Sequence, residues 1–297
     1  IIRYIFFPDI GMTSSTYFLA HARLASVQIM SWGHPETSGI DTVDYFLSSS
    51  LMESERSNSF YSEKLICIKD YAPMYFIPPD EPNTDMKRHD FKLPENKNLY
   101  CCPQTLFKIH PDFDEFLSEI AKNDPNSIII MLETQYKSHV EKLKKRWLKN
   151  FPILNDKIIF LKSMPLEKFL SLIRICDVLL DPIYFGGGIS FSESMVVGTP
   201  TITMPTTFMR SRVTAGLYKQ MKIPKPPIAK DMKEYVNLAV ELATNKNKNN
   251  ELRKTLKSAA KLHLFKNIKA AKLIEKFFEE SHKCAQNSSH LEDGYVF

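Results

Sequence analysis

Short apolar runs recur along the chain, separated by stretches in which apolar positions step by three and four. That alternation is the signature of βαβ units and a parallel sheet. The first part reads as strand "IIRYIFF", a turn around Pro8, Asp9 and Gly11, and a helical segment "STYFLAHARL" from Ser15. Strand-like "SVQIMSWG" (Ser26 to Gly33), "VDYFLSS" (Val43 to Ser49) and "SEKLICI" (Ser62 to Ile68) follow. Between Tyr71 and Glu95 the character changes: Pro73, Pro78, Pro79, Pro82 and Pro94 stand among polar residues, as in a linker.

Beyond that segment the pattern is more regular. Strands "NLYCCP", "SIIIMLE", "KIIFLKS", "CDVLLDP" and "TPTITMP" alternate with helices predicted over 112–122, 136–149, 166–174, 190–197 and 211–221. This half is expected to be a doubly wound α/β domain. In "LFKNIKAAKLIEKFF", Phe265, Ile268, Ala271, Ile274 and Phe278 fall on one helix face. The tail "SSHLEDGYVF" is expected either to fray or to be tied to a lobe. The resulting division is a partial N-terminal Rossmann-like lobe (1–75), a linker (76–95), a second Rossmann-like lobe (96–262), and a closing helix and tail (263–297).

With 43% hydrophobic and 25% charged residues, the 297-residue chain can bury a full core. No window reaches the run of about 18 apolar residues that a membrane span needs, and the start lacks the pattern of a signal peptide. An apolar run at residue 1, without an initiator Met, suggests that the chain continues upstream. The net charge of +5 comes with lysines in "KSHVEKLKKRWLKN", opposite apolar positions. That is a solvated helix face, and no aromatic-interleaved basic motif points to nucleic acid. The five cysteines form no C-x-x-C and lie beside apolar runs. Buried free thiols in a reducing compartment, the cytoplasm, are the expectation, with neither a zinc site nor a disulfide framework.

Three of the nine glycines are consecutive, Gly186 to Gly188, between strand "VLLDP" and a helix. Ligands of doubly wound sheets bind at such strand ends. Glycines there can take positive φ and let backbone approach a ligand; a simple flexible turn is the alternative. Ser190 follows with a hydroxyl and an amide. Glu193 can either complement the helix N-terminus or accept hydrogen bonds from ribose hydroxyls. Lys108, between strand "NLYCC" and a helix starting near Pro111, would bring an ammonium to the same crevice. A departing diphosphate needs such a charge where no metal-ligand cluster is at hand. His34 is a candidate cleft contact, His110 either caps its helix or reaches the ligand, and His21 reads as structural. Arg210 and Arg212 meet phosphate or form a locking salt bridge. Trp32 and Trp147 read as packing residues.

The blocks "PDIGMTSSTYFLAHARLASVQIMSWGHPETSG", "DYFLSS", "YSEKL", "LFKIHPDFDEFL", "DVLLDPIYFGGG", "GTPTITMP" and "RSRVTAGLYKQM" resemble, in order and spacing, one known catalytic region. It is that of the O-linked N-acetylglucosamine transferase and SPINDLY-like family, especially the bacterial type that follows tetratricopeptide repeats. The resemblance runs from Ile2 to about Met221, with a looser helical match beyond. It implies the GT-B architecture, two Rossmann-like lobes facing a cleft, with the first lobe truncated at its N-terminus. It also implies inverting, metal-independent transfer from a nucleotide-diphosphate sugar, with no cofactor, and a protein acceptor.

By the same resemblance Lys108 holds the diphosphate and Thr105 is a polar phosphate contact. Gly187, Gly188, Ile189 and Ser190 form the loop at phosphate and sugar, and Glu193 binds ribose. Met164 offers backbone groups to uracil, with Phe169 near the ring. Gly33, His34 and Pro35 form the glycine-containing turn of the first lobe that faces the donor. Lys108 and His34 are the candidate catalytic residues. Phe169 stands where animal members carry histidine, and Ile189 replaces a polar residue. The family histidine at the acceptor hydroxyl lies upstream of the matched region. The expected function is transfer of a sugar, N-acetylglucosamine, from a UDP-sugar to protein Ser/Thr hydroxyls. A catalytically silent nucleotide-sugar-binding module and a UDP-glucose-using adhesin or glycan transferase are the alternatives. Upstream tetratricopeptide repeats are compatible with each.

Overall fold

A computed structural model describes residues 2–82 and 85–297; Ile1 of the first predicted strand and residues 83 and 84 of the predicted linker lie outside them. The chain forms two compact units. One gathers residues 1–76, 207–212 and 266–297, the other 77–206 and 213–265.

The first unit begins with β1 (Tyr4–Phe7), α1 (Ser14–Ala20), β2 (Val27–Ser31), β3 (Tyr45–Ser49) and β4 (Lys64–Ile68). The second carries β5 (Asn98–Cys102), α2 (Pro111–Asn123), β6 (Ser127–Leu132), α3 (Lys137–Asn150), α4 (Ile153–Lys157) and β7 (Ile158–Leu161). It continues with α5 (Leu166–Ile175), β8 (Val178–Leu180), α6 (Ile189–Ser194), β9 (Thr201–Ile202), α7 (Val213–Gln220), α8 (Met232–Thr244) and α9 (Lys246–Ala259). Helix α10 (Ile268–Gln286) and β10 (Tyr295–Val296) return to the first unit.

All recorded strand pairs are parallel. Buried on both faces, such strands read as unbroken apolar runs rather than alternating ones, which is why they were visible in the sequence. The first sheet has the order β1-β2-β3-β4-β10 and the second β7-β6-β5-β8-β9. The tail is therefore tied down, with Tyr295 and Val296 in register with Ile66 and Cys67 of β4.

The predicted linker residues around 88–95 are docked on the second unit. Phe91 is buried, a turn at Arg88–Phe91 packs on α5, and the Arg88 guanidinium donates to the carbonyls of Glu95 and Lys97 at 2.9 and 2.6 Å. The closing helix differs from expectation in its inner face. Ala270, Phe277 and Ser281 are its buried residues, with Leu273, Ile274 and Phe278 packed partly, whereas Ile268 is exposed. The period is as expected, but two apolar stripes lie side by side, and the one through Phe277 meets Ile29, Tyr45, Leu47 and Ile66. Cys67, Cys101, Cys102 and Cys176 are buried free thiols and Cys284 is half-buried and free. Trp147 is fully buried and stacks on Phe160, and Trp32 packs against Phe76.

Candidate functional site

In the second sheet the chain progresses from β5 through β6 to β7 on one side, then returns to place β8 and β9 on the other. The crossovers leaving the adjacent strands β5 and β8 therefore go to opposite faces, opening a crevice beyond their carboxyl ends. The residues leaving β5 are Pro103 to His110, and those leaving β8 are Asp181 to Gly188.

These two segments are bonded to each other. Lys108, on a single 3-10 turn after β5, donates from Nζ to the Gly186 carbonyl at 3.1 Å and to Gln104 Oε1 at 3.0 Å. Its ammonium also lies 4.1 Å from the centroid of the Phe185 ring. Burial lowers the Lys108 pKa, and the Asp181 charge works against that shift. Asp181 is fully enclosed: Oδ1 accepts from the Gly187 amide at 2.6 Å, Oδ2 from Thr203 Oγ1 at 2.9 Å, and its backbone carbonyl from Tyr235 Oη at 3.0 Å. Desolvation raises its pKa to about 6, against the hydrogen bonds and the Lys108 charge. The Gly186–Gly187 peptide is thus held at its oxygen by a cation and at its N–H by a carboxylate. Thr214 Oγ1 donates to the next carbonyl, that of Gly187, at 3.2 Å.

Gly186 and Gly187 are needed for space rather than for handedness. None of Gly186, Gly187 and Gly188 has positive φ, contrary to the sequence expectation. A Cβ on Gly186 would lie 2.5 Å from Asp181 Oδ2, and one on Gly187 2.7 Å from Gln104 Nε2. Gly186→Ala is therefore expected to displace a carboxylate pinned by two donors and to cost about 1–3 kcal/mol, measurable as a lowered denaturation midpoint. An unchanged midpoint would show that Asp181 can yield.

The helix after the loop is shorter than predicted, six residues with Gly188 at its N-cap. So short a helix offers local N–H groups at its start rather than an extended dipole. Ser190 accepts a hydrogen bond from Gln104 Nε2 at 2.8 Å, and Ile189 points outward, 45% exposed. Glu193 is half-buried, its carboxylate has no hydrogen-bond or ion-pair partner among the described residues, and desolvation raises its pKa. Thr105 is exposed ahead of the Lys108 turn. Beside it, a cleft of about 740 Å³ runs along the ends of β5, β6 and β7, lined by Gln104, Thr105, Phe107, Thr134, Tyr136 and Ser163 among others. Met164 follows Ser163 and is half-buried, while Phe169 lies on the buried side of α5, 8% exposed. The structure thus joins Lys108 directly to the glycine loop and places Met164 and Phe169 at the β7 exit.

The chain carries one Asp-x-Asp spacing, Asp112 and Asp114, which the expectation of a metal-free site left out of account. Asp112 accepts from Tyr184 Oη at 2.8 Å, and Asp114 is buried in a bidentate pair with Arg146 at 2.6 and 2.8 Å. Both carboxylates therefore hold structure. His110 caps α2, its Nδ1 accepting from the Asp112 amide at 3.2 Å.

In the first unit, Gly33, His34 and Pro35 follow β2. A Cβ on Gly33 would fall 1.9 Å from the Pro8 carbonyl oxygen, so backbone passes backbone there. The His34 ring packs on Gly11, and burial, with a lesser effect of Arg210, lowers its pKa. Arg210 pairs with Glu36, and Arg212 donates to the carbonyls of Met52 and Glu53 at 2.8 and 3.3 Å. Both arginines lock residues 207–212 onto their own unit. His21 sits exposed, edge-on to Tyr17.

Sequence reasoning missed Gln104 and undervalued Asp181, Thr203 and Thr214. Asp181 was visible only as the strand-terminal residue before Pro182. Its partners come from residues 187 and 203, beyond the reach of local pattern.

The model of glycosyl transferase family 41 matches residues 80–272. A protein of Arabidopsis thaliana described as a probable UDP-N-acetylglucosamine–peptide N-acetylglucosaminyltransferase, SEC, is 27% identical over 264 residues, 86% of this chain and 26% of its own length. A UDP-glucose:protein N-beta-glucosyltransferase of Actinobacillus pleuropneumoniae is 26% identical over 256 residues, 84% of this chain and 39% of its own. The chain thus spans well under half the length of these relatives. The solved structure of a Thermobaculum terrenum O-GlcNAc transferase superposes with a TM-score of 0.82 at 19% identity, covering 97% of this chain and 54% of that one. That likeness shows the fold, the GT-B class with two Rossmann-like lobes. The family match covers well over half of the sequence, and the chain belongs to glycosyl transferase family 41.

Proposed function

We propose that the chain is the donor-binding and catalytic region of an inverting, metal-independent glycosyltransferase, moving N-acetylglucosamine from UDP-N-acetylglucosamine to protein Ser/Thr hydroxyls. The observation that carries this reading is Lys108. Its ammonium has three protons, of which two are taken by the Gly186 carbonyl and Gln104 Oε1, leaving the third for an anion at the β5/β8 crevice. Glu193, a partly desolvated carboxylate without a partner among the described residues, is suited to accept the two ribose hydroxyls. Ser190, Thr105 and the amides of Gly188 and Ile189 supply further donors to phosphate, the Gly187 amide being held by Asp181, and Met164 and Phe169 border the base.

In this reaction the acceptor oxygen bonds to the anomeric carbon as the bond from that carbon to the diphosphate oxygen breaks, inverting the centre. The electron pair departs with the diphosphate, where Lys108 stabilises the charge. The acceptor proton must pass to a base. Within the first unit, burial lowers the pKa of His34 and so favours its neutral imidazole, the form able to accept a proton. Among the described residues no group of three or more His, Cys, Asp or Glu is arranged to hold a metal ion.

A second reading, transfer of glucose, is favoured by the A. pleuropneumoniae relative and by an apolar Ile189 in the sugar-proximal loop. Incubation of the protein with labelled UDP-N-acetylglucosamine or UDP-glucose, a protein extract and EDTA tests both. Label on Ser/Thr from the first donor, undiminished by EDTA, is the expected result. Label from UDP-glucose alone selects the second reading, and UDP binding without label from either donor marks a binding module. No described helix is long and apolar enough to cross a membrane.

A further inference from the structure

We propose that Gln104 is a positioning residue that fixes the direction of the hydrogen bonds in the crevice, so that both Lys108 and Ser190 present free protons to the diphosphate; this rests on the UDP-sugar reading above. The argument is one of donor and acceptor inventory. An ammonium donates and cannot accept, so the oxygen of the Gln104 amide, 3.0 Å from Lys108 Nζ, is the only end that can face it. The amide NH₂ then faces Ser190 Oγ at 2.8 Å, and the serine oxygen must accept. With its oxygen so engaged, the Ser190 hydroxyl proton is left to point elsewhere. One buried amide therefore orients two donors at once, one from each strand exit.

Two features show that this amide is built into the site. Gln104 is only 6% exposed, so water competes poorly for its two ends. Gly187 is the residue whose missing Cβ makes room for it, since a methyl there would stand 2.7 Å from Gln104 Nε2 and 3.2 Å from Ser190 Oγ. Glutamate in its place would reverse the logic while keeping the shape. A carboxylate accepts at both ends, so Ser190 would turn its proton inward and the Lys108 charge would be neutralised before any phosphate arrived.

The test is calorimetry of the full chain with UDP and, in competition, with uridine. The ratio of the two affinities isolates what the phosphates contribute. Gln104→Glu is expected to lower that ratio about tenfold or more, while uridine affinity stays within about twofold. Gln104→Met, without polar atoms, is expected to lower it about threefold. Ser190→Ala should reduce the ratio in the native background and add nothing in the Gln104→Glu background. A ratio unchanged in both Gln104 variants, or equal losses for uridine and UDP, would overturn the positioning role and leave a structural one. Should Gln104→Glu not fold, Gln104→Met and Ser190→Ala decide. A native chain that binds UDP no more tightly than uridine would instead overturn the donor reading itself.

Discussion

Lys108→Met is expected to slow sugar transfer by about a hundredfold or more, the loss of about 3 kcal/mol that follows removal of one donor from a preorganised charge-stabilising site. Methionine keeps most of the stem that packs beside Phe185 and deletes only the charge. UDP affinity should fall with it, since the third proton of the ammonium has no substitute on Met. The same replacement strips a donor from the Gly186 carbonyl and from Gln104, so a stability loss of about 1–3 kcal/mol accompanies it. Initial rates at saturating donor, read beside an unfolding curve, separate the two effects. Transfer within threefold of the native rate would remove Lys108 from the mechanism. Burial lowers the lysine pKa, so the native protein should also lose UDP affinity on the alkaline side earlier than a surface ammonium would allow.

Phe277→Ala is expected to destabilise the first unit by about 3–5 kcal/mol. The ring is fully buried, stands edge-on to Tyr45 at 5.7 Å between centroids, and lies 5.8 Å from Phe297 of the tail. The alanine would leave a cavity among Ile29, Leu47 and Ile66, whose strands are held from both sides and cannot close in. Tyr45 also accepts from the Leu291 amide through its hydroxyl, at 2.9 Å, so loosening at Phe277 reaches the tail. Because the contacts of Lys108, the glycine loop and Asp181 lie within the second unit, denaturant should reveal a first transition that precedes loss of UDP binding. A midpoint shift worth less than about 1 kcal/mol would mean that α10 only decorates the sheet.

The sheets were legible because their strands are parallel and buried, so "SIIIMLE" and "VLLDP" announce themselves as apolar runs. The two-residue strand at Tyr295 carries no such signal: both its residues are exposed, and it exists only because β4 offers an edge. The site was legible to the extent that one residue could speak for its position. Lys108 and the glycines did so, because strand exits collect ligand groups. Gln104 did not, since its role depends on Ser190, 86 residues away. The expectation of positive φ at the glycines failed for a related reason. What crowds them is a carboxylate and an amide from elsewhere in the fold, and sequence shows crowding only when the neighbours are adjacent.

The division of the chain also dictates an order of assembly. A ribosome delivers residues 77–265 before it reaches α10, so the second unit can close around its core while the first still lacks Phe277 and Leu291. The four-strand ribbon made before the second unit must wait for a segment made after it. During that wait its apolar face stays uncovered, and a premature stop just after residue 265 would leave a complete second unit joined to a sheet without the helix that covers it.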